Sequence, residues 1–373
     1  MLGRTPPMGW NSWNTFAWNI NENVVRDMAD LIVEKGLKDA GYEYIVIDDC
    51  WSLRERDENG KLVADPEKFP SGIKALADYV HSKGLKFGMY SCVGSRTCAC
   101  YPGAFGHEYT DAQTFADWGV DYLKHDFCQR PSLANGPILY NRMSMALKAT
   151  GREILFSACN WGKFETEKWI RSTGAHIYRS TFDITDNFEC LSKIAMSQID
   201  KLAYSTPGCF NDLDMLVVGM RNRGRVADGG CTDTQYATHF ALWCFLQSPL
   251  MIGGNLSAMT DSDFKLLKNK ELLRINQDKE ARPPVVLAGG DRPIFFKHLD
   301  NGEYAIAFFN LTEGEATMYA EFFDIGITPE CGHGFELRDI MTGEETGFVK
   351  DYLGTKVEPF GFKIFRGKFV KKN

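Results

Sequence analysis

The 373-residue sequence has no long apolar run, no basic cluster and no basic start. No stretch approaches the ~20 consecutive apolar residues that span a bilayer, and the opening MLGRTPPMGW lacks the apolar run of a secretory signal. Lys and Arg total 42 against 49 Asp and Glu, with no cationic patch that could follow a phosphate backbone. These absences argue against nucleic-acid and membrane partners. They predict a soluble cytoplasmic protein, with secretion as the alternative if a signal has been removed.

Signatures of metals and cofactors are missing too. The eleven cysteines are odd in number and irregularly spaced, which fits reduced thiols better than a disulfide framework. Cys98 and Cys100 flank one residue, but no second pair or HxxxH motif completes a zinc-ligand pattern. No GxGxxG follows a predicted strand, and the GGN of residues 253–255 is too short for a P-loop. We therefore expect no metal and no organic cofactor.

The sequence does contain a recurring unit of short apolar strand, polar turn and helix-period segment, from Pro6 to about residue 275. Such alternation is typical of a parallel α/β fold. Eight units of this kind predict a (β/α)8 TIM barrel, whose active site lies at the carboxyl ends of the strands. The predicted strands are 6–10, 44–47, 85–90, the start of 121–128, 153–157, 175–179, 210–215 and 248–254, and the predicted helices include 23–38, 72–83, 111–118 and 234–246.

The pattern changes after Gln277, where DKEARPP interrupts the helix and short alternating strands begin near Val285. KHLDNGEYAIAFFN is typical of a hairpin with Asn301 and Gly302 in its turn. The sequence therefore predicts a catalytic (β/α)8 domain over residues 1–280 and an antiparallel β-sandwich domain over residues 281–373. The second domain has no concentrated acidic cluster, so we expect it to support the first.

Acidic and aromatic side chains gather at the predicted strand ends. Carboxylates accept hydrogen bonds from sugar hydroxyls, Lys and Arg donate to them, and the apolar face of a pyranose packs on Trp. This group predicts a sugar site: Trp13, Asp48, Asp49, Trp51, Tyr90, Lys124, Asp126, Asn160, Trp161, Arg179, Asp183 and Asp214. A glycosidase needs two carboxyls about the scissile bond, and Asp126 and Asp183 are the candidates.

Simpler explanations stay open for several of these residues. Asp126, or the pair Asp48 and Asp49, could cap a helix at a βα turn. Asp212 with Asp214 could bind a divalent cation, although hard cations need more oxygens than this spacing provides. Trp10 and Trp13 could belong to the core. His239, within an apolar helix, is expected to be a core histidine.

Ten sequence motifs, taken in their order along the chain, give a more specific indication. They are TPPMGWNSWN, IDDCW, LKFGMY, TCACYPGAFGHE, DYLKHDFC, SACNWG, YRSTFD, PGCFNDLDMLVVG, HFALWCFLQSPLMIGGNL and INQD. Together they resemble glycoside hydrolase family 27, which contains α-galactosidases and α-N-acetylgalactosaminidases. The resemblance implies a (β/α)8 barrel followed by an antiparallel β-domain, and removal of terminal α-galactose from a carbohydrate substrate. Oligomeric state stays open, a homo-oligomer included.

The resemblance also implies a retaining double displacement. Asp126 matches the family's nucleophile and Asp183 its general acid/base, with carboxyls roughly 5 to 5.5 Å apart in such enzymes. Asp126 would attack the anomeric carbon while protonated Asp183 releases the aglycone, and Asp183 would then deprotonate the water that frees the sugar. Lys124 and Arg179 are expected to keep Asp126 ionised. The mechanism requires no metal or organic cofactor.

The remaining matches describe the pocket wall. Asp48 and Asp49 match the pair that holds the 4- and 6-hydroxyls, and Trp13 matches the platform under the ring. Asn160 falls where the family contacts the substituent on C2. Further matches bind hydroxyls, orient carboxylates or edge the pocket: Tyr90, Lys124, Trp161, Arg179, Asp214 and Cys98. The resemblance implies a rim disulfide between Cys98 and Cys128, which a cytosolic chain could keep reduced.

Departures from the family pattern surround this machinery. His125 and Phe127 flank the candidate nucleophile, and Phe182 precedes the candidate acid/base in place of a small residue. Trp18 replaces a cysteine that often pairs with the equivalent of Cys50, so that disulfide should be absent. Retention of Asp48 and Asp49 favours galactose over β-L-arabinopyranose, and Asn160 favours a free 2-hydroxyl over the N-acetyl group. An inactive sugar-binding protein and a galactose-transferring enzyme stay as alternatives.

Overall fold

The computed structural model describes residues 2–371, and its first domain is a parallel barrel. Its strands pair in the order β7-β6-β5-β4-β3-β2-β1-β8, and a parallel bridge between Leu216 and Ile252 joins the segment after β7 to β8. The predicted TIM barrel is therefore confirmed. The strands are β1 Met8–Asn11, β2 Tyr44–Val46, β3 Lys86–Cys92, β4 Tyr122–Asp126, β5 Leu155–Cys159, β6 Ile177–Arg179, β7 Phe210–Asp212 and β8 Leu250–Ile252.

Helices cover the outside of this barrel. Most begin at a side chain that caps free N–H groups; Asn21, for example, accepts a hydrogen bond from the Val24 N–H at 3.1 Å. The helices are α1 Trp13–Phe16, α2 Glu22–Glu34, α3 Ile73–Ser82, α4 Glu108–Asp117, α5 Gly136–Ala149, α6 Phe188–Met196, α7 Asp233–Phe245, α8 Asp261–Leu267 and α9 Lys270–Asn276.

The connection between β5 and β6 departs from the predicted alternation. It contains two 3₁₀ helices, Thr166–Lys168 and Ile170–Thr173, instead of an α-helix. Trp161, Phe164 and Glu165 have positive φ values of 58°, 62° and 53°, which a right-handed helix cannot accommodate. The chain after β5 therefore stays close to the mouth of the barrel.

The barrel interior is filled below the site by large side chains. Tyr44, Val46, Tyr122, Leu155 and Phe210 belong to this inner cluster. Side chains alternate along a strand, so Lys124 and Asp126 of β4 point inward like Tyr122, while His125 points toward the helices. These packed side chains form the floor of the barrel interior, and the charged residues lie directly above them.

The second domain is antiparallel. A six-stranded sheet runs in the order β14-β13-β16-β11-β10-β9, a two-stranded sheet pairs β12 with β15, and both contribute to a second apolar core. The predicted hairpin is confirmed, since His298 pairs with Tyr304 and Asn301 adopts a left-handed φ of 60° in the turn. Its strands are β9 Val285–Ala288, β10 Ile294–His298, β11 Glu303–Phe309, β12 Ala316–Glu321, β13 His333–Asp339, β14 Glu345–Val349, β15 Tyr352–Val357 and β16 Phe362–Lys371.

The end of α9 at Asn276 and the start of β9 at Val285 flank the boundary predicted at residues 280 and 281. Residue 1 of the predicted barrel domain, and residues 372 and 373 of the predicted β domain, lie outside the described residues. Among residues 2–371, no helix has the length and apolar character needed to cross a membrane.

Helix α7 joins the two domains. Every residue from Thr238 to Phe245 is buried, and Phe245 lies 6.1 Å from Phe295 of β10, centroid to centroid. His239 is a core histidine as expected. Its Nε2 accepts a hydrogen bond from the Val217 N–H at 3.2 Å, and burial lowers its pKa to about 3. The helix therefore packs against the barrel and the β domain at once.

Candidate active site

A cavity of about 270 Å³ opens at the carboxyl ends of the barrel strands. All the predicted site residues except Trp51 and Asn160 line it. The lining is Trp13, Asn14, Asp48, Asp49, Tyr90, Cys98, Lys124, Asp126, Trp161, Arg179, Asp183, Ile184, Thr185, Asp214, Met215, Arg225 and Val226.

One cation serves two carboxylates on the β2 and β4 side. Lys124 Nζ donates to Asp48 Oδ2 at 2.8 Å and lies 3.7 Å from Asp126 Oδ1. The Tyr90 hydroxyl donates to Asp126 Oδ2 at 3.1 Å. Burial alone would lower the pKa of Lys124, but Asp126 and Asp48 outweigh it and raise that pKa well above its usual value. Lys124 is therefore a permanent positive charge between the two carboxylates.

Asp49 is held by the backbone beside this group. Its Oδ1 accepts a hydrogen bond from the Cys50 N–H at 2.7 Å, and its Oδ2 accepts one from the Ala99 N–H at 3.1 Å. Burial raises its pKa against these hydrogen bonds. Because Asp48 and Asp49 both face the cavity, the pair does more than cap a turn.

A second cation organises the opposite wall. Arg179 donates to Asp183 Oδ1 and pairs with Asp214 Oδ1, each at 2.9 Å. It also donates to the Phe182 carbonyl at 3.0 Å, which fixes the loop that carries Asp183. Arg179 was expected to help ionise Asp126. Its contacts instead place its charge on Asp183 and Asp214, so Lys124 and Tyr90 are the groups that hold Asp126.

The two candidate catalytic carboxyls have opposite environments. Burial raises the pKa of Asp126 to about 7, assisted by negative Asp48 and Asp183 and opposed by Lys124. Partial burial would also raise the pKa of Asp183, but Arg179 outweighs it and lowers that pKa below its ordinary value. When no substrate is bound, a proton shared by the two carboxyls therefore lies mainly on Asp126.

Cys98 and Cys128 form a disulfide, with their Cα atoms 5.2 Å apart. This pair was the exception left open to the expectation of reduced thiols. Cys98 edges the cavity, while the Cys128 sulfur lies 3.8 Å from the Tyr90 hydroxyl. Both sulfurs also lie within 4.8 Å of an Asp126 oxygen, but the disulfide occupies them and leaves no thiolate for a metal. Cys50 carries a free thiol, as the replacement by Trp18 implied.

Some predicted residues lie away from the cavity. Asn160 is buried in its own turn, where it donates to the Lys163 carbonyl at 3.0 Å and accepts from the Gly162 N–H at 3.2 Å and the Thr166 hydroxyl. Both ends of its amide are thus engaged. Trp51 is buried in the core and donates from Nε1 to the Tyr90 carbonyl at 3.0 Å.

His125 does not face the cavity, although it lies between Lys124 and Asp126 on β4. It packs 6.0 Å from Tyr140 and 5.8 Å from Phe156, centroid to centroid, and is fully buried. Within residues 2–371, neither ring nitrogen has a hydrogen-bond partner. Burial lowers its pKa to about 3, so it is neutral. Its position therefore removes it from the cavity chemistry.

Asp212 and Asp214 do not converge on a common cation site. Asp212 Oδ1 accepts a hydrogen bond from the Asp214 N–H at 2.9 Å, and Asp214 pairs with Arg179. Burial raises the pKa of Asp212 to about 6. Asp214 thus orients Arg179, and Asp212 holds the turn that positions Asp214.

The sequence analysis missed Arg225. This exposed residue follows β7 by a long loop, and its guanidinium carbon lies 5.7 Å from the ring centroids of both Trp13 and Trp18. Asn14, Ile184, Thr185, Met215 and Val226 complete the wall. The run RNRGR lies in a loop that leaves the carboxyl end of a barrel strand, and this position could have indicated Arg225.

Comparison with known proteins bears on this site. Residues 5–278 match the family described as alpha galactosidase A, and residues 289–366 match the alpha galactosidase C-terminal beta sandwich domain. An α-galactosidase of Cyamopsis tetragonoloba is 41% identical over 366 residues, covering 98% of this chain and 86% of that protein.

Solved structures give the same result. Alpha-galactosidase I from Mortierella vinacea superposes with a TM-score of 0.92 at 32% identity, covering 100% of this chain and 99% of that one. An α-galactosidase from Saccharomyces cerevisiae, determined with raffinose, has a TM-score of 0.89 at 29% identity, covering 99% and 98%. This protein therefore belongs to the α-galactosidase family, glycoside hydrolase family 27.

Proposed function

We propose that this protein is a retaining α-galactosidase that removes terminal α-linked galactose from oligosaccharides or glycoconjugates. The observation that carries the proposal is one cavity faced by two carboxyls, Asp126 and Asp183, each with its own cation. Differently charged surroundings are what a nucleophile and an acid/base require.

The galactose ring fits the part of the cavity formed by β1, β2 and β4. Asp48 and Asp49 offer carboxylate oxygens and Lys124 offers donors, which together match adjacent hydroxyls. Half-buried Trp13 offers an aromatic face for the apolar side of the ring. This arrangement would place the anomeric carbon above Asp126, whose inward direction β4 sets.

In the first step Asp126 attacks the anomeric carbon and forms a glycosyl-enzyme ester while the glycosidic bond breaks. Asp183 donates its proton to the leaving oxygen. In the second step Asp183 takes a proton from water, and that water displaces Asp126 with the original anomeric configuration. Tyr90 and Lys124 stabilise the carboxylate that Asp126 becomes again.

Substrate binding must place the shared proton on Asp183. A bound sugar covers the exposed side chain of Asp183, and the loss of water raises its pKa. Attraction between the ionised Asp126 and the positive charge that develops on the sugar also favours the state in which Asp183 holds the proton. Because Asp126 and Asp183 titrate as a pair, one proton can lie on Asp126 in the free site and on Asp183 when substrate is bound.

The choice of galactose rests on Asp48 and Asp49. A ring without a 6-hydroxyl would leave part of this acidic pair unpaired, which disfavours β-L-arabinopyranosides. Asn160 no longer supports the choice, because its amide is engaged in its own turn. We expect a higher kcat/KM on nitrophenyl α-galactoside than on nitrophenyl N-acetyl-α-galactosaminide, and the reverse order would reject the sugar.

Replacement of the nucleophile tests the mechanism directly. Asp126→Ala should lower kcat on nitrophenyl α-galactoside by more than ~1000-fold, because no ester can form. Added azide should then restore turnover and yield β-galactosyl azide, which NMR identifies by its anomeric coupling. Recovery of turnover by azide is also the control for misfolding, because only a folded site can bind the galactoside. Near-normal hydrolysis by the Asp126 variant would reject the assignment.

A further inference from the structure

Arg225 lines the cavity and Trp18 lies beside it, and neither belongs to the group that matches galactose. We propose that they form the subsite for the leaving part of the substrate, in which the second sugar ring lies on the Trp18 indole. The inference rests on the proposed galactosidase activity and adds to it the residues that contact the aglycone.

The side chain of Arg225 links the floor of the cavity to its mouth. Its guanidinium carbon lies 5.7 Å from the Trp13 ring centroid and 5.7 Å from the Trp18 ring centroid. Trp13 lines the cavity, whereas Trp18 is 57% exposed. The indole of Trp18 is thus held at the end of a continuous surface that begins under the galactose ring.

Arg225 is free to bind a ligand. Its backbone is fixed, since its N–H donates to the Asn14 carbonyl at 2.8 Å. Its guanidinium forms no ion pair within residues 2–371, and both of its neighbours there are aromatic rings. The N–H groups in the guanidinium plane can therefore donate to hydroxyls, while Trp18 provides the flat apolar face that a pyranose needs.

The position of Asp183 fixes which ring would lie here. The acid/base must reach the leaving oxygen, so the aglycone departs past Asp183. The segment after Asp183 runs beside the Arg225 loop, because the Asp186 N–H donates to the Val226 carbonyl at 2.8 Å. A second ring attached at that oxygen therefore meets Arg225 and Trp18 on leaving the cavity.

Phe182 is the competing platform. It is 49% exposed and directly precedes Asp183, and its carbonyl accepts a hydrogen bond from Arg179. Neither ring lines the cavity, but Trp18 lies beside Arg225, which does. A Phe182 variant therefore separates the two surfaces in one experiment.

The test compares two substrates that share galactose and differ in aglycone. α-Galactosyl fluoride has no second ring, whereas in raffinose the galactose is attached to a glucose that carries a fructose. Trp18→Ala should lower kcat/KM on raffinose about tenfold, mainly through KM, and leave the fluoride within about twofold. Arg225→Ala, which also removes a contact with Trp13, should lower kcat/KM on raffinose more than on the fluoride. Tyr109→Ala and Arg223→Ala are matched exposed controls away from the cavity lining and should change neither substrate.

Each outcome decides a separate point. If the native protein fails to hydrolyse the fluoride, the galactosidase proposal falls and this inference falls with it. If the fluoride is hydrolysed and the Trp18 and Arg225 variants process raffinose normally, the subsite alone is rejected. A loss on raffinose with Phe182→Ala and none with Trp18→Ala would reject Trp18 as the platform and assign the ring to Phe182.

Discussion

At the scale of single residues, the site consists of two cations shared among four carboxyls. Lys124 lies between Asp48 and Asp126, and Arg179 lies between Asp183 and Asp214. Loss of either cation would leave a buried carboxylate without its countercharge, which is costly in a low dielectric. The protonation state of Asp126 therefore depends on its immediate neighbours, of which Tyr90 is the uncharged one.

Tyr90→Phe tests this dependence. The Tyr90 hydroxyl donates to Asp126 Oδ2, so its loss destabilises the ionised carboxylate and raises the pKa of Asp126 further above its usual value. Because catalysis needs the ionised form, the acid limb of the kcat/KM profile on nitrophenyl α-galactoside should move to higher pH. The rate on the acid side should fall roughly tenfold.

Tyr140→Phe is the matched control for that measurement. Tyr140 is also buried near β4, and its hydroxyl has no hydrogen-bond partner within residues 2–371. We expect its acid limb to coincide with that of the native protein. An unchanged acid limb in Tyr90→Phe would show that this hydrogen bond does not control the ionisation of Asp126.

Residue types at strand ends were predictable because a barrel brings those ends together. Asp48, Lys124 and Asp126 lie on the cavity wall for this reason. The contacts of Asn160 and Arg225 were not predictable, because their side chains follow the course of loops that no periodicity describes. The partners of Arg179 depend on the loop that contains Asp183, for the same reason.

At the scale of elements, β4 depends on a close fit with β3. Gly88 pairs with Tyr122, and a Cβ at Gly88 would lie 2.7 Å from Val46 Cγ2 and 3.1 Å from Tyr122 Cβ. The absent side chain makes room for the tyrosine that supports Lys124 from below. The strand that aims the nucleophile is thus set by a glycine on its neighbour.

Gly88→Ala should therefore disturb stability and activity together. Overpacking at this position should lower the free energy of unfolding by about 1–3 kcal/mol and reduce kcat/KM, as Tyr122 shifts beneath Lys124. Urea unfolding followed by fluorescence measures the first effect. Gly314→Ala is the control, since nothing lies within 4 Å of its added Cβ. A stability equal to that of the control would contradict the close fit.

Helix and strand periodicity predicted the barrel units and the hairpin of the second domain. It did not predict the 3₁₀ turns between β5 and β6, where positive φ values at Trp161, Phe164 and Glu165 interrupt the helix. Residues other than glycine rarely adopt such values, and only the surrounding packing decides where they do. Helix propensity contains no information about that packing.

At the scale of the whole molecule, the interface between the domains contains a buried lysine. Lys297 of β10 has no exposed surface and donates to the Phe245 carbonyl of α7 at 3.2 Å. Burial lowers its pKa to about 7, although Asp278 and Cys244 act in the opposite direction. The hairpin pattern predicted a strand residue here, but only the docking of α7 explains why the amine is enclosed.

Lys297→Met should stabilise the protein near neutral pH and below. The unfolded chain holds the lysine proton up to its ordinary pKa of 10.5, whereas the folded chain releases it near 7. Native stability therefore rises with pH between these values, and the burial cost is fully present below the lower one. Removing the amine should add roughly 2–5 kcal/mol at about pH 6.5 and progressively less toward pH 10.

Denaturant midpoints measured at several pH values would check the sign and the slope. Lys356→Met, in which a mostly exposed lysine of β15 is replaced, is the control and should give no such pH-dependent gain. A variant that is less stable than the native protein at neutral pH would contradict the assigned burial cost.

The enclosed face of α7 also limits how this architecture can evolve. From Thr238 to Phe245 the helix offers no surface to water, because the barrel occupies one side and the β domain the other. Any substitution there must fit two neighbours at once, so this face of the helix tolerates few changes. The exposed residues Trp18 and Phe182, which depart from the family pattern, carry no such double constraint.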